Sequence, residues 1–120
     1  MKIVRLKDCA QFIAGDDSLL QEILNPKKGD LKINYSLARA IIKPGQKTKP
    51  HRLKSTEVYH IVRGIGIMHI DKEENVIKEN YTVYIPKDSI QWLENIGKKP
   101  MEFLCIVDPA WEPSCEEVIN

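Results

Sequence analysis

Between Gly45 and Gly64 the chain carries an imidazole and a carboxylate, His51 and Glu57, in a stretch that reads as strand. Side chains alternate faces along a strand, so His51, Leu53, Glu57, Tyr59 and Ile61 can all point to one side. A nitrogen donor and an oxygen donor facing an otherwise apolar interior imply a site for a metal ion or a small molecule. Glu57 has a simpler reading, a structural ion pair with Arg52 or Lys54. A core-facing carboxylate is costly unless paired or metal-bound, which favours the pocket. Tyr59 packs on the same face and is a candidate proton donor beside Glu57, the two forming the candidate catalytic pair.

The spacing Gly45, His51, Glu57, Gly64 resembles the first motif of the cupin family: glycine, five residues, His-x-His, three or four residues, glutamate, six residues, glycine. Leu53 stands where the second histidine usually sits. The second cupin motif runs glycine, five residues, Pro-x-Gly, two residues, histidine, three residues, asparagine. Asn80, Pro86, Asp88, Gln91 and Asn95 fall at those offsets. Asn and Asp are the residues that best tolerate the left-handed backbone for which glycine is otherwise used, so Asn80 and Asp88 are conservative there. The resemblance spans about residues 36 to 107. It implies an all-β fold, the cupin-type double-stranded β-helix or jelly-roll barrel.

The same resemblance implies a ligand set of His51, Glu57 and Gln91. One nitrogen and two oxygens suit a divalent ion such as iron or manganese, with zinc or nickel less well served by a neutral amide. Leu53 brings an apolar wall to the site. Three functions stay open. One is a metal-dependent enzyme of isomerase, dioxygenase or decarboxylase type. The second is a non-catalytic small-molecule binding module. The third is a metal-free, epimerase-like enzyme with His51 or Glu57 as base and Tyr59 as acid.

Other chemistry-bearing residues have plainer readings. His60 and His69 fall off the inward parity and belong to the surface or an interface. Cys105, in Phe103-Leu104-Cys105-Ile106-Val107, reads as a small buried hydrophobe that lines the pocket if residues 103, 105 and 107 face inward. Trp92 and Trp111 read as packing or interface residues, and Lys27-Lys28 and Lys98-Lys99 as solvated turns.

The elements that must position the site follow from local signals. Lys2–Leu6 suggests a short strand. Asp16-Asp17-Ser18 before Leu19-Leu20-Gln21-Glu22-Ile23-Leu24 predicts an N-capped helical turn over about 17–24, stopped by Pro26 and Gly29. From Leu31 the chain turns to short strands separated by turns. Strands are expected over 31–42, 51–62, 65–70, 76–78, 82–85, 90–93 and 101–107. The expected organisation is an N-terminal strand and helix over 1–30, the barrel over 31–107, and a tail over 108–120. Pro109, Trp111 and Pro113 are expected to keep that tail out of the sheets.

At 120 residues, with 42% hydrophobic and 29% charged residues, the chain suits one compact domain. A formal net charge of +1 gives no reason to expect nucleic acid or an anionic membrane. No apolar run approaches transmembrane length. Three cysteines without metal-site spacing argue against a disulfide framework and point to the cytoplasm. The expected partners are a small-molecule ligand and a second copy of the chain, because an open sandwich has sheet edges to protect.

Overall fold

A computed structural model describes residues 1–120. Its strands, in chain order, are β1 (Gln11–Ile13), β2 (Leu19–Leu24), β3 (Ser36–Ile42), β4 (His51–Leu53), β5 (Thr56–Arg63) and β6 (Ile65–Ile70). β7 (Glu73–Lys78), β8 (Thr82–Ile85), β9 (Gln91–Asn95), β10 (Met101–Asp108) and β11 (Glu116–Val118) complete them. They form two antiparallel sheets, a six-stranded one in the order β1-β2-β3-β10-β5-β8 and a five-stranded one in the order β11-β4-β9-β6-β7. This is the double-sheet jelly roll that the motifs imply.

The alternation of residue types along the strands builds the interior. In β10, Met101, Phe103, Cys105 and Val107 are buried while the residues between them are not. In β9, Gln91, Leu93 and Asn95 are buried in the same rhythm. The two inner faces interdigitate in a core of Ile61, Met68, Leu93, Met101 and Phe103 among others, several of them wholly buried. Burial of that apolar surface drives the sandwich together.

The turns behave as their residue types require. Asn80 and Asp88, which stand at glycine positions of the motif, have φ of +70° and +66°. Gly64, at φ +102°, turns β5 into β6 so tightly that a Cβ there would lie 2.9 Å from Met101 Cα, so both backbone angle and space demand glycine.

Three expectations are corrected. Residues 19–24 are strand β2, not a helix, and Lys2–Leu6 is not a strand; the helical turns are Leu6–Asp8 and Pro113–Cys115. Asp-Asp-Ser serves a tight turn as well as a helix cap. Here Asp17 takes φ +75°, and Asp16 Oδ1 accepts from the Ser18 amide at 3.0 Å and hydroxyl at 2.7 Å. A single six-residue helix gains little by itself. Pairing with β3 instead places Leu20 beside Ala40 and Glu22 beside Ala38, facing inward. The tail also departs from expectation. After Pro113 it joins the five-stranded sheet as β11, with Glu116 opposite Leu53 and Val118 opposite His51.

Candidate functional site

The barrel interior holds a cavity of about 140 Å³ that opens to solvent. Its walls include His51, Leu53, Glu57, Tyr59 and Cys105, which the sequence placed on inward positions. His51 and Leu53 lie on β4, whereas Glu57 and Tyr59 lie on β5, in the opposite sheet. The chain therefore crosses between sheets at Lys54-Ser55, and the shared parity becomes two facing walls.

His51 is 3% exposed. Its Nδ1 lies 2.7 Å from the Lys49 carbonyl oxygen, and a carbonyl only accepts, so Nδ1 carries a proton and donates. Nε2 is the nitrogen left for the cavity, with Asp16 Oδ2 at 3.7 Å. Fixing one ring nitrogen to define the role of the other is how an imidazole is oriented for proton transfer.

Glu57 sits between Val107 of β10 and Ile85 of β8. Burial removes the solvent that would stabilise its anion and pushes its pKa up to about 8. Its Oε1 accepts from Gln91 Nε2 at 3.0 Å, and the Tyr59 hydroxyl donates to Gln91 Oε1 at 3.1 Å. At neutral pH Glu57 thus holds its proton and is a donor. Burial also raises the Tyr59 hydroxyl well above its ordinary value. With its hydroxyl proton given to Gln91, Tyr59 supports the wall instead of reaching for a ligand.

The expected metal set does not fit a divalent ion as arranged. Gln91 shares the buried network but does not line the cavity, and its amide oxygen and nitrogen are spent on Tyr59 and Glu57. No group of three or more His, Cys, Asp or Glu side chains is placed to hold an ion. Gln91 instead locks Glu57 and Tyr59 in position, sitting directly opposite His51 in the β4–β9 pairing.

Sequence reasoning missed Asp16, Glu22 and Glu116, and read Trp111 as packing; all four line the cavity. Asp16 arrives on the β1–β2 turn, anchored by the Lys49 amide donating to its carbonyl oxygen at 2.8 Å. Glu116 arrives on β11. Its pKa is raised by burial, opposed by His51 and by a hydrogen bond with the Trp111 side chain. A hairpin in place of the helix would have been the signal for Asp16; nothing local announces Glu116. His60 and His69 do lie outside. His60 Nδ1 meets Thr82 Oγ1 at 2.9 Å, and His69 stacks on Trp92 with centroids 4.3 Å apart.

The cupin domain family matches this chain over residues 38–107, from β3 to β10. The chain is a cupin. An uncharacterized protein of Methanocaldococcus jannaschii is 35% identical, covering 100% of this chain and 98% of that one. In structure, the cupin is similar to a predicted oxalate decarboxylase from Thermotoga maritima, with a TM-score of 0.79 at 19% identity. That match covers 90% of this chain and 99% of the other. It is also similar to Pac13, a nucleoside dehydratase of Streptomyces, with a TM-score of 0.79 at 16% identity over 100% of this chain and 92% of that one. At such identities the likeness is one of fold, and fold does not carry function.

Proposed function

We propose that this cupin binds a small organic molecule in its barrel cavity and moves protons on it with its own side chains, His51 accepting and Glu57 donating. The observation that carries this reading is His51, whose Nδ1 is tied to the Lys49 carbonyl while Nε2 is left to the cavity. Glu57, protonated at neutral pH, is the complementary donor on the facing wall. A ligand C–H beside a carbonyl would lose its proton to Nε2 while the carbonyl oxygen receives the Glu57 proton. Return of the protons completes an isomerisation. Leu53 and the other apolar walls hold the carbon skeleton beside both groups. Metal-dependent chemistry is not part of the proposal, because Glu57 and Gln91 of the implied ligand set are committed to one another.

The test is a ligand-observed NMR screen of small fragments, repeated after treatment with a chelator. Ligands are expected to bind equally before and after chelation and to lose binding in His51→Gln. In D2O, bound fragments with a C–H next to a carbonyl should exchange that hydrogen with the wild type and not with Glu57→Gln. Binding that needs an added divalent ion, or that survives His51→Gln unchanged, would overturn the reading. Binding without exchange would reduce the protein to a receptor.

We further propose that the cupin is a homodimer working in a reducing compartment. All three cysteines are free thiols, and no helix is long and apolar enough to cross a membrane. On the outer face of the six-stranded sheet, Leu37, Ile106, Val58 and Tyr84 lie in register across β3, β10, β5 and β8. Tyr84 is 63% exposed and Ile106 37%. A second copy applied about a two-fold axis would cover this stripe with its own. Sedimentation decides: a mass of 13.8 kDa independent of concentration rules the dimer out.

A further inference from the structure

The charge of the cavity is one-sided. Four carboxyl groups face it, from Asp16, Glu22, Glu57 and Glu116, of which Glu57 is protonated at neutral pH, and no lysine or arginine lines it. Glu22, at the rim, has its own cation, with Lys28 Nζ 3.0 Å from its Oε1. Asp16 and Glu116 have no lysine or arginine partner, and His51 is the one basic side chain that faces them. Asp16 Oδ1 is engaged by Ser18, but Oδ2 faces His51 Nε2 at 3.7 Å, too long for a hydrogen bond. His51 is almost wholly buried, and its Nε2 makes no hydrogen bond within the protein. Facing the open cavity, Nε2 is free to meet a ligand. Tyr59, Phe12 and Trp111 add aromatic walls, whose faces attract cations.

Resting on the reading of this cavity as a small-molecule site, we propose that it selects a small organic cation, an alkylammonium group whose N–H donates to Asp16 Oδ2, and rejects carboxylates and phosphates. An anion would find no lysine or arginine to receive it and the carboxyl groups of Asp16 and Glu116 to oppose it. A cation exchanges solvent for acceptors already held in place by the β1–β2 turn and β11. The volume of about 140 Å³ is close to that of a cavity known to admit benzene, about 150 Å³. The ammonium group and three or four carbons therefore fill it, and anything larger must project through the opening past Phe12 and Ile13.

Butylammonium, butan-1-ol and butyrate share a carbon chain and differ in head-group charge, so they separate the terms. An alkylamine is protonated at pH 7, as a lysine side chain is. Each is titrated at matched ionic strength into nitrogen-15-labelled protein, reading the backbone amides of residues 14–18 and the His51 ring. Butylammonium is expected to shift these signals in a saturable way, butan-1-ol about tenfold more weakly, and butyrate not at all. Asp16→Asn keeps the oxygen that Ser18 needs and should weaken butylammonium about tenfold with the alcohol unchanged. Glu116→Gln should weaken it by a smaller factor. Butyrate binding as well as butylammonium, or Asp16→Asn without effect, overturns the proposal. Butan-1-ol binding as tightly as butylammonium overturns charge selection while leaving the cavity as a site. Failure of all three to shift His51 overturns both.

Discussion

The two ends of this barrel share the strands β5, β9 and β10 yet obey different physics. Toward one end these strands contribute Ile61, Leu93 and Met101 to the packed core. Toward the other they contribute Glu57, Tyr59, Gln91 and Cys105, tied by hydrogen bonds or facing a cavity. Apolar packing at the first end stabilises the fold without specifying chemistry. At the second end, burial of a carboxylate and an imidazole costs stability and holds them where a ligand can use them. A function built on a small barrel therefore depends on the packed end to offset the cost of the open one.

Truncation at the packed end should cost the most. Leu93→Ala removes a wholly buried side chain and is expected to lower unfolding free energy by about 2–5 kcal/mol in urea denaturation, leaving ligand binding in the folded protein intact. A smaller loss would mean that the two ends share the load.

At the open end the sign reverses. Glu57 has a folded pKa of about 8 against 4.5 for the free side chain. Between those values the folded protein keeps a proton that the unfolded chain releases, so stability falls as pH rises from 4.5 to 8 and levels off above. Glu57→Gln removes this dependence while its amide oxygen can still accept from Gln91. The variant should be more stable than the wild type by on the order of 2 kcal/mol at pH 9, with the gain vanishing near pH 4.5. Melting curves across that range check it, and a gain that does not vary with pH would contradict the assignment.

Gln91→Leu tests the network between the ends. It leaves the Tyr59 hydroxyl and the Glu57 carboxyl without their shared partner, at a cost of about 1–3 kcal/mol. It should also leave metal content unchanged by elemental analysis, whereas a metal lost with Gln91 would restore the ligand set that the motif implies. The smallest effect is expected at a turn. Asn80→Gly exchanges a tolerated left-handed residue for the usual one, and should change stability by less than about 1 kcal/mol.

Much of the barrel was legible because its signals are local. The alternation through residues 51–61 and 101–107 identified inward positions, and Asn80 and Asp88 read correctly as stand-ins for glycine, since backbone angle depends on the residue itself. The motif offsets likewise marked His51, Glu57 and Gln91 as members of one buried cluster. What each does there was not legible. Gln91 resembles a ligand in spacing, and only its two hydrogen bonds, to residues more than thirty positions away, assign it to support.

The N-terminal and C-terminal segments mark the same boundary. Leu19–Leu24 carries apolar residues compatible with helix or strand, and the choice fell to β3, whose open edge offers hydrogen bonds that a single helical turn cannot match. Glu116 gained meaning only when β11 paired with β4 and set it beside His51. The sequence by itself determined the strand rhythm, the turns and the inward set, because each depends on near neighbours. The tertiary structure alone decided the charge of the cavity, because Asp16 and Glu116 meet His51 across loops whose closure no local pattern records.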